Sequence, residues 1–230
     1  HAVSSRLREG QVTVVGNGSA CVVGGHAYII KKGQRFITNS AIASMGYDLP
    51  AAIGAWTASR DKGCYSQGGD RSGEDLILVT GDGSMQMNLQ ELQTIIHHRM
   101  GIKIFVINNG GYHSIRQTQK NFFGEPLIGI GVDSGDLSFP ALDKLAAAYG
   151  YPYVSARHNS ELGKAVEKTL AAEGPAICEV FVSMDQNFEP KSSAKRLPDG
   201  TMVSPPLEDL SPFLPDEEMD ENMIIPRIKG

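Results

Sequence analysis

Leu76-Ile77-Leu78-Val79-Thr80-Gly81-Asp82-Gly83-Ser84 and, further on, Ile102-Lys103-Ile104-Phe105-Val106-Ile107-Asn108-Asn109-Gly110 decide how this chain is read. Each is an apolar run that ends in a polar, glycine-containing turn. Between them Leu89, Leu92, Ile95 and Ile96 recur at helical spacing, which predicts one amphipathic helix. Asn88 stands where it could cap that helix, with Glu91 three residues on as its partner. The unit is strand, helix, strand, with polar residues at the carboxyl ends of both strands, where open parallel sheets bind ligands. Asp82 and Asn109 both offer oxygen to a hard cation, and a carbonyl at Gly111 is placed to offer a third. Mg²⁺ bound in this way holds phosphate. Gly81 and Gly83 let backbone approach an anion closely, and the amides near Ser84 can donate to it. Either turn alone is ordinary punctuation. Together, at the two strand ends, they read as a diphosphate site.

Composition sets the outer bounds. A chain of 230 residues with 41% hydrophobic and 20% charged residues has the length and make-up of a folded globular protein. A net charge of −5, with Lys and Arg scattered, gives no footing for nucleic acid. No apolar run approaches the ~20 residues that span a bilayer, and no signal peptide is visible. Cys21, Cys64 and Cys178 are odd in number and widely spaced, which suits a reduced, cytoplasmic setting with at most one disulfide. The start at His1 suggests an excised or processed piece.

Outward from the central unit, Val12 to Val15 reads as a strand that runs into the turn Gly16-Asn17-Gly18-Ser19. A mostly apolar, buried helix is expected over Cys21 to Ile30, with His26 a satisfied core residue. A short strand is expected at Arg35 to Thr38 and an alanine-rich helix at Leu49 to Ser59, with Pro50 tolerated in its first turn. Asp61 to Asp75 is polar and glycine-rich and reads as a long exposed loop. Residues Gly110 to Asp136 are expected to be irregular. A helix to Tyr149 follows Pro140, and then strand, helix, strand over Tyr151 to Ser155, Ser160 to Ala172 and Pro175 to Val182. The alternation predicts a doubly wound, mostly parallel α/β sheet with helices on both faces. Residues 1–189 form the expected domain, and 190–230 a Pro-rich acidic tail that wraps or stays mobile.

The pair of turns resembles the GDG…NN signature of the thiamine diphosphate-dependent enzymes. A second block, Ile37-Thr38-Asn39-Ser40-Ala41-Ile42-Ala43-Ser44-Met45-Gly46-Tyr47-Asp48-Leu49-Pro50-Ala51-Ala52-Ile53-Gly54, is similar to the segment that precedes the GDG strand in acetolactate synthase and its relatives. The resemblance spans roughly residues 11 to 185 and implies the thiamine diphosphate-binding fold, as the diphosphate-binding third of a longer enzyme. It implies thiamine diphosphate and Mg²⁺ as cofactors, with Asp82, Asn109 and the Gly111 carbonyl as metal ligands. Met45 matches the apolar wedge that bends the cofactor, and the Ala43 carbonyl matches the acceptor for its amino group. Asn17, Gly18 and Ser19 match the first-strand loop on the diphosphate, although acetolactate synthase tends to carry Gln and His there. Tyr112 and Ile115 would border the reactive ring.

The implied chemistry is decarboxylation of a small 2-oxo acid and transfer of the acyl carbanion equivalent. The glutamate that activates the cofactor belongs to a separate pyrimidine-binding domain or subunit, which has no counterpart here. The isolated chain is therefore expected to be inactive and the full enzyme a homo-oligomer. One alternative is a small subunit of a 2-oxo acid decarboxylase of the sulfopyruvate or phosphonopyruvate type, which ends in protonation. Another is a non-catalytic cofactor-binding module. A dinucleotide site at Gly16-x-Gly18 is disfavoured, because Cys21 replaces the third glycine and no acidic residue follows at the required distance. His97 and His98 are adjacent on a helix and read as surface residues. His113 is the candidate proton donor to substrate. Arg116 is expected to be a solvated loop residue, with a substrate carboxylate as its alternative partner.

Overall fold

A computed structural model of the chain describes residues 1–60 and 75–227. The expected loop before Asp75, with Cys64, lies outside them. The chain divides into two compact units, His1–Gln186 and Asn187–Gly230.

Among the described residues the first unit is built on six strands: β1 (Val12–Val15), β2 (Arg35–Ile37), β3 (Leu76–Gly81), β4 (Ile102–Asn108), β5 (Tyr153–Ala156) and β6 (Ala176–Phe181). They form one parallel sheet in the order β2-β1-β3-β4-β6-β5. The central strands are largely apolar on both sides, Lys103 and Glu179 apart, because helices cover both faces. On one face Leu76, Leu78, Ile102 and Ile104 pack with α2 (Asp48–Ala58), α4 (Glu91–His97) and α6 (Leu142–Tyr149), through Leu49, Ala52, Leu92, Ile95, Leu142 and Ala146. On the other, Ile77, Phe105 and Cys178 pack with Ala165 and Val166 of α7 (Asn159–Ala171). The helix α1 (Ser19–Ala27) lies on this second face, where Gly24 sits against Val15 and Phe36. Helices leave β1 and β3 on opposite faces, so a crevice opens between the carboxyl ends of these neighbouring strands.

Several elements depart from the sequence reading. The single helix expected between β3 and β4 is two, α3 (Asp82–Gln86) and α4. Asn88, in the break, does not cap α4; its amide donates to the Gly46 carbonyl at 2.6 Å. The helix α1 is shorter than expected and buries only Ser19 and Ala20, and His26 is exposed. Its apolar residues lie all round the helix and point to no single face, so composition alone could not show how little of it the sheet covers. The stretch expected to be irregular after Gly110 contains a ten-residue helix, α5 (His113–Phe122). Its buried residues are His113, Arg116 and Gln117, so its inward stripe is polar and escapes a search for apolar periodicity.

In the second unit, β7 (Lys195–Arg196) pairs antiparallel with β8 (Met202–Val203), and α8 spans Asp216–Asn222. The acidic cluster lies on this helix, and Arg227 pairs with Asp216 and Asp220, one turn apart, at 3.2 and 2.6 Å, which offsets part of their repulsion.

At the amino end of β4, Lys103 is fully buried. Its ammonium donates to the carbonyls of Ala172, at 2.5 Å, and Gly174, and lies 3.4 Å from the Asp75 carboxylate. Lys103→Met would strand these acceptors, and we expect a loss of about 3 kcal/mol in urea unfolding. Unchanged stability would show that burying the ammonium costs as much as its bonds return.

Candidate functional site

Three loops meet at the carboxyl ends of β1, β3 and β4. Asn17 follows β1, Asp82 follows β3, and Asn109 follows β4. They line one cleft with Gly18, Ser19, Met45, Gly81, Gly83, Ser84, Gly111, Tyr112, His113, Ser114 and Ile115. Ala43 is not on its wall. It lies two residues before Met45, exposed, with a left-handed φ of 56° that non-glycine residues rarely adopt.

Asp82 is 8% exposed, and its two carboxylate oxygens accept from the amides of Gly83 and Gly111, each at 2.9 Å. Among the described residues no cationic side chain forms an ion pair with it. Burial pushes its pKa up to about 6, against the pull of the backbone amides and of the Arg116 charge. Asn109 is 4% exposed and donates to the Ser19 hydroxyl at 2.7 Å, which ties the β4 loop to the β1 loop. The preceding Asn108 turns away and donates to Glu179 at 2.6 Å.

The second sequence block is fastened to the first. The Asn17 amide donates to the Ser44 carbonyl at 2.7 Å, and the Ser84 hydroxyl accepts from the Gly46 amide at 2.9 Å. These bonds and that from Asn88 place Met45 over the cleft. The Asn17 side-chain oxygen is buried with no partner among the described residues, a site for a ligand-borne or metal-bound donor. Beneath it, Asp48 is fully buried and accepts from the Thr80 hydroxyl. Its carboxylate fills the space where a Cβ on Gly16 would stand, 2.6 Å away, so only glycine fits there. A Cβ on Gly83 would stand 2.4 Å from the Tyr112 ring, which closes on that turn.

Sequence reasoning missed Arg116. It is 1% exposed rather than solvated, and it pairs with Asp133 through both carboxylate oxygens at 2.8 and 2.9 Å. Its remaining bonds go to the carbonyls of Asn109 and Gly110 and to His113 Nδ1. Its expected exposure is therefore corrected, and no cleft-facing donor remains for a substrate carboxylate. The signal available was the spacing of His113, Arg116 and Gln117, which places three polar residues on one helix face. His113 is also buried, and both its nitrogens are engaged. Nε2 lies 2.6 Å from the Gln186 carbonyl and so carries the hydrogen, which leaves Nδ1 to accept from Arg116 at 3.3 Å. A proton-donor role for His113 would require one of these bonds to break.

Asp82 chemistry fits a hard cation. No group of three His, Cys, Asp or Glu side chains that could hold a metal occurs among the described residues, so amide, carbonyl and ligand oxygens would complete its shell. In the metal-free chain the pKa rises from 3.8 to about 6, so the folded state holds the proton more tightly than the unfolded state. The charged carboxylate therefore penalises folding above pH 6, by up to about 3 kcal/mol, and the penalty fades as pH falls towards 4. Asp82→Asn should then be more stable than wild type at pH 8, with the gap closing by pH 4. Lower stability at pH 8 would show that the two amide bonds outweigh the burial.

Residues 16–180 match the family model described as thiamine pyrophosphate enzyme, C-terminal TPP binding domain. The acetolactate synthase large subunit of Cyanidium caldarium is 33% identical over 157 residues, covering 68% of this chain and 24% of that protein. The acetolactate synthase of Arthrospira platensis is 31% identical over the same shares. The acetolactate synthase isozyme 2 large subunit of Escherichia coli K12 is 29% identical over 178 residues, 77% of this chain and 29% of that protein. The chain spans about a quarter of the length of these relatives. No described helix is long and apolar enough to cross a membrane. With the parallel sheet, the match over most of its length and the two motif blocks fastened together, the chain belongs to the C-terminal thiamine pyrophosphate-binding domain family, as a module like that of the acetolactate synthases.

Proposed function

We propose that this chain is the diphosphate-binding module of an enzyme that decarboxylates small 2-oxo acids and transfers the acyl product, a transferase or lyase reaction. The observation that carries the reading is Asp82, a buried carboxylate without an ion-pair partner among the described residues, set beside Asn109 where the β1, β3 and β4 loops meet. In this reading a carboxylate oxygen of Asp82, the amide oxygen of Asn109 and the Gly111 carbonyl would hold Mg²⁺, which would supply the positive charge that binds the diphosphate of thiamine diphosphate. The bound cofactor supplies an electron sink for cleavage next to a carbonyl.

The chain's own residues bind and orient. Gly81, Gly83 and Ser84 present backbone to the anion, and Ser19 holds Asn109 in place. Met45 supports the cofactor's bent shape. The strained backbone at Ala43 suits a carbonyl aimed for function, as acceptor for the cofactor's amino group. The activating glutamate comes from a pyrimidine-binding domain or subunit, so the chain is catalytically incomplete alone and works within a homo-oligomer. The similarity to acetolactate synthases does not favour the decarboxylase-subunit alternative.

Calorimetric titration of the chain with thiamine diphosphate, with and without Mg²⁺, tests this. Binding should require the metal, and Asp82→Ala should weaken it about tenfold or more. If thiamine diphosphate does not bind without the partner domain, inorganic diphosphate with Mg²⁺ should still do so. Metal-independent binding, or an Asp82→Ala variant with wild-type affinity, would overturn the assignment.

A further inference from the structure

The Arg116 guanidinium has five N–H donors, and the structure supplies five acceptors: Asp133 Oδ1 and Oδ2, the carbonyls of Asn109 and Gly110, and His113 Nδ1. Such complete satisfaction lets a charged group sit 1% exposed in the interior. The two carbonyls it holds are consecutive, and the next residue is Gly111, whose amide donates to Asp82. The guanidinium draws the peptide oxygens of residues 109 and 110 to one side of the loop, while the Asn109 side chain and the Gly111 amide serve the other.

A strap clamps the same loop from outside. Tyr112 donates its amide to the Ile130 carbonyl at 2.7 Å, and Val132 donates to the Gly110 carbonyl at 3.2 Å. Gly111 and Gly131 form an antiparallel bridge. A Cβ on either glycine would lie 2.1 Å from the facing carbonyl oxygen, so the two backbones touch with no room for a side chain. Asp133, at the end of the strap, cancels the guanidinium charge beside a site read as cationic.

We propose that Arg116 and Asp133 are the positioning pair of the metal loop, so that affinity for a divalent cation and diphosphate depends on them although Arg116 is not on the cleft wall. This rests on the metal-site reading proposed above. The chain's affinity for Mn²⁺ with inorganic diphosphate, measured by calorimetry, tests it in Arg116→Met, Arg116→Lys and Asp133→Asn. Lys103→Met, destabilised at the opposite end of β4, is the control.

Arg116→Met should lose about tenfold or more in affinity, with Arg116→Lys intermediate and Asp133→Asn reduced, while Lys103→Met keeps wild-type affinity. Amide exchange at Gly111 should quicken in the Arg116 variants, with Gly46 unchanged. Wild-type affinity in a folded Arg116→Met chain overturns the proposal, as does a loss no larger than that of Lys103→Met. If Arg116→Met does not fold, Arg116→Lys and Asp133→Asn decide by the same criteria. If wild type binds no Mn²⁺ and diphosphate, the metal-site reading fails. Gly111 exchange then decides the clamp alone, and unchanged exchange overturns it.

Discussion

The Gly111 amide donates to the Asp82 carboxylate at 2.9 Å, across the gap between the loops that follow β3 and β4. Much of the surrounding structure makes that bond possible. It needs two neighbouring parallel strands ending at the same level, which the register pairing Gly81 with Ile107 provides. Gly111 must adopt a φ of 141°, open to glycine and strained for other residues. Asp82 must be buried where an amide is worth more than water. The first turn of α3, the double glycine after Asn109 and the strap at Gly131 all follow from that geometry.

The arrangement carries a cost that points toward function. A carboxylate held mainly by backbone amides in a low-dielectric pocket is less stable charged than it would be in water, and its raised pKa reports this. A divalent cation would remove the penalty. The Asn17 oxygen is likewise without a partner among the described residues, although the site around it is well bonded. The module thus holds unspent electrostatic potential at this edge of the sheet, where the fully buried Asp48 likewise leaves one carboxylate oxygen without a partner among the described residues. Three other buried charges are matched. Lys103 has its carbonyls, Arg116 its five acceptors and Glu179 its donors Asn108 and Tyr153.

The strands and the polar turns that end them were legible because their signals are local. Leu76 to Val79 and, apart from Lys103, Ile102 to Ile107 are apolar on both sides, the pattern of strands buried on two faces. Asp82 and Asn109 stand directly at their ends. The residues that orient them were not legible, since each acts through a main-chain atom distant in sequence. Asn88 looked like a helix cap and instead holds the Gly46 carbonyl. The helix α5 was invisible because its buried face is His113, Arg116 and Gln117.

By itself the sequence determined the α/β alternation, the polar edge of the sheet and most of the residues that line the cleft, though Ser114 was missed and Ala43 lies off its wall. Those depend on short-range periodicity and on which side chain ends a strand. Only the tertiary structure decided that Arg116 is buried, that α1 is largely uncovered and that Met45 is hung from Asn17 and Ser84. A backbone carbonyl is the same acceptor at every position. Which one a side chain reaches is fixed by packing, and leaves no mark in the letters of the chain.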